Sequence, residues 1–457
     1  MLSLLPTLEP QYVCPGETHA ISRAVHLSRL AAFYPKCREC PHRQEIGQLP
    51  QPQFEEPDSS QPRISERSLF TLEGVRGVYL NELTRHKAGE LSAAFASLLW
   101  ESLPLAGRSD LRDANSKRPI RRSGPVVVVG FDERSSSPDI VTGVASALRR
   151  MSCQVVDVGQ TSLPCFRFAV AHMQAAGGIL ISGHGCEPSW TGLDFVAKQG
   201  RPISVAGRNR EARSDSRDIC LDDIHERCEL GAVRPLRQGG SQRVFQASVP
   251  YLAGLLKHFH ALRPLRVAIG CPVRFVRQTL DALFEKLPVT LDWVELPQRR
   301  RDLLNADDPD VRRVREAVVA RSADFGLVID DDGANVAVLD ELGGSLTPAD
   351  LLCLLADVLP ATQAEKAIVI DNAARDLLQP RVAARGWRCW LGGWTQSDIW
   401  QALRHDAATC GGGATGRVWL RDSVPTCDAI LTLAQLLQAL SRDDAPLSSV
   451  VESAAAA

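Results

Sequence analysis

Pro125 to Gly130 reads PVVVVG, four valines in a row with no polar residue between them. A strand with one wet face alternates apolar and polar residues, so a run that is apolar throughout needs cover on both faces. The polar turn FDERSSSP follows, and a helical segment then runs to about Met151. The pattern recurs. Further strands are expected at Gln154–Gly159, Gly178–Ile181, Leu265–Ile269, Leu327–Ile329 and Ala367–Ile370. Between and after them, helices are expected at Phe166–Ala175, Tyr251–Phe259, Val276–Phe284, Thr347–Leu359 and Asp428–Leu440. Alternation of this kind predicts α/β domains on mostly parallel sheets, with ligand sites in loops beyond the carboxyl ends of the strands.

A chain of 457 residues has room for about three such domains at roughly 150 residues each. The expected bounds are 67–240, 241–345 and 346–443, with a disordered tail over 444–457. Residues 44–66 are rich in Pro, Gln, Ser and Glu without periodicity and read as a linker. The 52 basic and 54 acidic side chains leave a net charge of -2, which removes any general drive towards nucleic acid. No charge-free apolar run is long enough to span a membrane, and the start lacks the make-up of a signal peptide. Thirteen scattered cysteines, several of them inside apolar runs, fit a reducing cytoplasm better than a disulfide framework.

Residues 1–43 differ from the rest. A helix-like stretch, Ala20 to Phe33, lies between Cys14 and the pair Cys37 and Cys40. The CxxC spacing suits a metal knuckle, and Cys14 can close it from across the helix. Zinc is the expected ion, with His42, His19 or His26 as the fourth ligand. An iron–sulfur cluster, or three free thiols on a packed appendage, are the alternatives.

Four loops carry groups suited to chemistry. Arg76 and the turn Gly130–Ser137, with Arg134, Ser135 and Ser136, offer anion contacts at a helix start. The turn after Ile181, SGHGCEPSWTG, presents Ser182, His184, Cys186 and Glu187. Asp330, Asp331 and Asp332 stand in a row on a tight turn, where mutual repulsion favours a hard divalent ion. Adjacent strand residues point opposite ways, so Asp330 and Asp332 are the pair expected to share a Mg2+. A solvated acidic turn is the plainer reading. The glycine-rich run CGGGATGR (Cys410–Arg417) allows close backbone approach to a ligand.

In this order, the stretches over about 67–443 resemble the α-D-phosphohexomutase family, the phosphoglucomutases and phosphomannomutases. TLEGVRG is similar to that family's GTSGIRG, keeping Arg76 and placing Glu73 at the serine. Gly130–Ser137 is similar to GRDTRxSS, keeping Asp132 and Arg134. SGHGCEPSWTG aligns with TASHNPxxxNG, which sets His184 at the phosphoserine and Gly185 at the following histidine. Asp330 to Asn335 resembles DGDGDR with two metal carboxylates kept, the third replaced by Ala334 and the arginine by Asn335. GGATGR stands for GExSGH, with Gly413 for the glutamate, Thr415 for the serine and Arg417 for the histidine.

The resemblance implies three consecutive α/β/α domains with mixed sheets, here without the family's fourth domain. It implies carbohydrate metabolism, Mg2+ and a sugar-phosphate ligand held by Arg76, Arg134, Thr415 and Arg417. The departures weaken phosphoryl transfer at every station. The expectation is a degenerate phosphohexomutase that binds a sugar phosphate or a protein partner. Two alternatives stay open: a divergent mutase (an isomerase) or phosphatase acting through His184 or Ser182, and a scaffold or homo-oligomer whose Cys-rich head meets a partner.

Overall fold

The computed structural model describes residues 12–31, 34–43, 69–103, 124–206, 218–359, 366–405, 408–442 and 444–456. The expected linker lies outside them. The chain divides into two compact units, Met1–Arg67 and Ser68–Ala457.

In the first unit β1 (Tyr12–Val13) pairs antiparallel with β2 (Ala20–Ile21), and α1 (Arg23–Ala31) follows. The helix starts three residues later than its apolar spacing predicts, because Ala20 and Ile21 are drawn into the ladder with β1. Cys14, Cys37 and Cys40 are all buried, and the Tyr12 ring stacks on His26 with centroids 4.2 Å apart.

The second unit holds three sheets. The first comprises β3 (Val75–Val78), β4 (Val126–Phe131), β5 (Gln154–Gln160), β6 (Gly177–Ile181), β7 (Trp190–Ala197) and β8 (Gln242–Val244), in the order β3-β7-β6-β4-β5-β8. Its helices are α2 (Arg85–Ser102), α3 (Ser137–Arg150), α4 (Leu163–His172) and α5 (Leu221–Leu230). Val127 and Val129 of β4 pack into one core cluster with α2 and α3, while Val128 joins another with α4. The unbroken valine run is thus buried on both faces, as its composition demands. The last strand, β8, pairs with β5 and carries this sheet past residue 240.

The second sheet follows α6 (Ser248–Leu256). It is built of β9 (Leu265–Gly270), β10 (Val289–Val294), β11 (Phe325–Ile329) and β12 (Val336–Leu339), ordered β10-β9-β11-β12, with helices α7 (Arg274–Phe284) and α8 (Pro309–Arg321). Only the β11–β12 hairpin is antiparallel, and its turn carries the three aspartates.

In the third sheet the order is β14-β13-β15-β16-β17. Its strands are β13 (Ala367–Ile370), β14 (Arg388–Leu391), β15 (Cys410–Gly412), β16 (Val418–Arg421) and β17 (Pro425–Cys427). Around it lie α9 (Pro348–Val358), α10 (Arg375–Ala384), α11 (Gln396–His405), α12 (Ala429–Leu440) and α13 (Leu447–Ala456). Thr347 caps α9 in a reciprocal box with Asp350. Leu433, Leu436 and Leu437 of α12 are fully buried in a core cluster shared by all three sheets. Each contributes roughly 2 kcal/mol by area removed from water. That common core fixes the loops of the three sheets relative to one another.

The tail does not follow expectation. Residues 447–456 form α13, anchored by the fully buried Leu447, and Ser448 donates its backbone N–H to Glu341 Oε2 at 3.1 Å. Leu447, Val450 and Val451 make a single turn of apolar spacing among Ser and Ala, yet that is enough to seat a helix whose first turn a carboxylate caps. Among the described residues no helix is long and apolar enough to cross a membrane.

Candidate functional site

The loop between β6 and β7 is held by Arg134 rather than presenting it. The Arg134 guanidinium donates to the carbonyls of Cys186 (2.9 Å) and Glu187 (2.6 Å) and to Asp331 Oδ2 (2.9 Å). Gly183 makes room for this brace, since a Cβ there would stand 2.8 Å from Arg134 Nε and 2.6 Å from the Trp190 carbonyl. Asp132 accepts from the Gly183 N–H at 3.0 Å. Ser136 makes no side-chain cap to α3, and Ser137 Oγ donates to Asp132 instead (2.5 Å).

His184 is enclosed by two charges. Arg76, from β3, pairs with Asp194 of β7 at 2.7 Å, and both side chains are 8% exposed. Arg76 Nη2 also meets the His184 ring, 3.0 Å from Nε2 and 3.3 Å from Nδ1. Asp194 Oδ2 lies 3.3 Å from His184 Nδ1. Burial alone would raise the Asp194 carboxyl, but Arg76 and His184 outweigh it and hold it down at about 2. Ser182 Oγ stands 3.1 Å from the same Nδ1 and accepts the His184 backbone N–H at 3.1 Å. A serine–histidine–carboxylate relay uses one ring nitrogen for the hydroxyl and the other for the carboxylate. Here both face Nδ1, so Asp194 cannot hold one ring nitrogen while the other takes the Ser182 proton.

The aspartate turn is tied up in the same way. Gly333 adopts φ +73°, and its N–H closes on the Asp330 carbonyl at 3.1 Å. Asp330 faces Arg301 Nη1 at 3.5 Å, and Arg301 itself is fully buried and also grips Asp310 at 3.1 Å. Asp331 takes Arg134 and the Gly185 N–H (3.1 Å). Asp332 pairs with Arg417 and accepts the N–H groups of Ala334 (2.7 Å) and Asn335 (3.0 Å). Burial and the two neighbouring carboxylates push the Asp330 carboxyl up to about 7. Burial works against Asp332 too, but Arg417, His184 and the two N–H groups keep it below the usual range. Asp332 is paired with Arg417, while Asp330 shares Arg301 with Asp310. Among the described residues no group of three His, Cys, Asp or Glu is placed to hold a metal.

The glycine-rich turn between β15 and β16 divides its residues. Arg417 reaches in to Asp332, whereas Thr415 is exposed at the tip, its carbonyl 3.4 Å from Asn335 Nδ2. At Gly413, where the resemblance expects a glutamate, a Cβ would lie 1.9 Å from Asp371 Oδ2. Asp371 accepts from the Ala374 and Ala414 N–H groups and fills that space. The cavity left among Arg134, Ser162, Ser182, Asp331 and Asp332 is about 10 Å3, enough for one water.

In the first unit the structure buries Cys14, Cys37 and Cys40 but sets Arg29 against Cys14 Sγ at 3.1 Å. His42 lies edge-on to Tyr12, while His26 is buried and its Nε2 has no hydrogen-bond partner. His19 is exposed beside Thr18.

Sequence reasoning missed Asp194 and Arg301. Asp194 carries a weak signal, an acid at a β7 position flanked by Leu193 and Phe195, where burial demands a partner. Arg301 is one of three arginines in a row and carries none.

The model for phosphoglucomutase/phosphomannomutase, alpha/beta/alpha domain I, matches residues 67–210. A phosphoglucomutase/phosphomannomutase of Thermococcus kodakarensis is 24% identical over 402 residues, covering 84% of this chain and 79% of that protein. A phosphoglucosamine mutase of Pelobacter propionicus is 23% identical over 396 residues, covering 84% and 81%. The crystal structure of a phosphoglucomutase/phosphomannomutase family protein from Burkholderia thailandensis shares the fold with a TM-score of 0.66 at 22% identity, covering 85% and 80%. Residues 67–210 match the family's domain I, and over most of its length the chain is similar in sequence to these mutases and shares the fold of the solved family member.

Proposed function

We propose that this chain is a cytoplasmic, phosphohexomutase-like protein of carbohydrate metabolism that has lost phosphoryl transfer and keeps a sugar-phosphate-binding role. The observation that carries the reading is the pairing of Asp330, Asp331 and Asp332 with Arg301, Arg134 and Arg417. Phosphoryl transfer rests on positioning and on neutralising charge at the moving group. Arg134 and Arg417 already neutralise Asp331 and Asp332, and Arg301, shared with Asp310, faces Asp330, so a Mg2+ at this turn would have to displace guanidiniums. His184, at the phosphoserine position, is enclosed by Arg76 and Asp194, so a phosphoryl group on its ring would have to displace one of them.

Incubation with glucose 1,6-bisphosphate and Mg2+, followed by intact-mass measurement and a mutase assay, tests this. The expected outcome is no phosphoryl mass increment and no turnover. An increment that disappears in His184→Ala or Ser182→Ala protein would restore the enzyme reading.

For the head, the CxxC spacing of Cys37 and Cys40 and the burial of three thiols favour structural zinc, although among the described residues no three donors are set together around one ion position. Reduced, purified protein is expected to carry one zinc per chain, lost together with head structure in Cys37→Ser/Cys40→Ser. Metal-free protein whose head resists proteolysis would rule the ion out.

A further inference from the structure

Strand β14 lies at one edge of the third sheet, and among the described residues no strand pairs with its outer side. Trp390 and Leu391 at its end are 39% and 45% exposed, and Trp394 just beyond it is 57% exposed. Strand edges that stay single are blunted by charge, proline or cover. The opposite edge of this sheet, β17, starts with Pro425 and is largely buried. The edge strands β8 and β10 of the other two sheets carry Arg243 and Asp292 inside them. In β14 the one charge stands at the first residue, and the exposed end is apolar.

Hydrogen bonding fixes which backbone groups are open. Arg388 donates its N–H to the Lys366 carbonyl (2.9 Å) and Gly392 to the Ile370 carbonyl (2.8 Å), both on the β13 side. Backbone groups alternate sides along a strand, so the N–H and C=O of Cys389 and Leu391 point outwards. Two outward residues flanking Trp390 are a self-complementary set. An antiparallel copy in register about Trp390 puts Cys389 opposite Leu391 of the second copy and Leu391 opposite its Cys389, and each pair exchanges both of its N–H···O=C bonds.

The side chains fit the same register. Trp390 is the neighbour of Val369 on β13, which packs with Ile399 of α11, so Trp390 stands on the α11 face. There it meets its own copy in a non-hydrogen-bonded pair, where side chains come closest. Arg388 falls on the same face, opposite Gly392 of the second copy. Gly393 follows, and a Cβ on it would lie 2.6 Å from Asp398 Oδ2. Each Arg388 therefore arrives beside an Asp398 carboxylate, and no like charges oppose one another along the strand. We propose that β14 is a homodimer interface, at which two copies join edge to edge and merge their third sheets into one. A second copy satisfies the open backbone groups, the tryptophan and the charge together under a single two-fold axis.

Sedimentation of the full chain over a wide concentration range tests the interface. The expected species is a dimer that dissociates on dilution. Leu391→Lys changes a side chain that is already exposed, so it should keep the circular dichroism of the fold and weaken association by about tenfold or more. Leu391→Pro removes one outward N–H from each copy and should act the same way. Arg388→Glu sets like charges together and should weaken the dimer more in low salt than in high salt. A monomer at every concentration would overturn the proposal. A dimer that folded Leu391 and Arg388 variants leave unchanged would also overturn it, by placing the contact elsewhere.

Discussion

Replacing Arg417 with alanine is expected to lower the unfolding free energy by about 3–5 kcal/mol, the usual cost of stripping one partner from a buried ion pair. The Asp332 side chain is 1% exposed and that of Arg417 14%, so solvent cannot take over the lost partner. The two residues come from different sheets, the β11–β12 turn and the β15–β16 turn, and the pair ties those loops together. Without the guanidinium, only His184 and the Ala334 and Asn335 N–H groups are left to oppose burial, and the Asp332 carboxyl rises from its depressed position. In the wild type a depressed carboxyl contributes stability that is complete above its unfolded value and lost as pH falls through its folded one. In the variant that contribution is gone, so its deficit should be largest near neutral pH and shrink in acid. Urea denaturation at pH 7 and at about pH 3 measures both effects. A loss under about 1 kcal/mol, typical of a surface pair, would show that the turn is open to water and would undercut the case against a metal there. Arg417→Met combined with Asp332→Asn should recover part of the loss, since the asparagine oxygen still caps the Ala334 and Asn335 N–H groups.

Much of this architecture is legible before any coordinates. The valines of β4 announce a strand covered on both faces, and Thr347 announces the start of α9 three residues ahead of Asp350. The motif loops can be placed by the order of their residues along the chain. What those loops do with their charges is not legible, because ion-pair partners are set by folding rather than by spacing. Arg134 reads as an anion ligand and proves to be a brace on the Cys186 and Glu187 carbonyls. Which guanidiniums meet Asp330, Asp331 and Asp332 is hidden for the same reason, since a carboxylate in sequence carries no sign of its partner. Gly413 reads as a lost glutamate, and only the fold shows Asp371 in its place. The tail escapes for the opposite reason: α13 is seated by one apolar turn (Leu447, Val450 and Val451) and a cap from Glu341, too short a pattern to register.

Asp194→Ala should have an effect of similar size to Arg417→Ala and a different pH signature. Its carboxylate is the only acidic group within ion-pair distance of Arg76 among the described residues, and the Arg76 side chain is 8% exposed. Removal leaves a buried guanidinium holding only its own Val75 carbonyl (2.9 Å) and the His184 ring, at an expected cost of about 3–5 kcal/mol. Asp194→Asn keeps one acceptor and should cost about half as much. The wild-type carboxyl is held at about 2 against an ordinary 3.8, and linkage turns that shift into roughly 2 kcal/mol of stability at neutral pH. A depressed carboxylate gives up its contribution as pH falls from about its unfolded to its folded value, so the wild type should weaken on that limb. Asp330, pushed up to about 7, works in the other direction and takes stability away as pH rises from about 4 towards 7. The Asp194→Asn protein should keep the Asp330 limb and lose most of the acid one, so the two stability curves converge below about pH 4. Parallel curves across that range would mean that Arg76 does not hold Asp194 ionised. His184 would then be free of the charges that enclose it, and the phosphoserine position would again be available for chemistry.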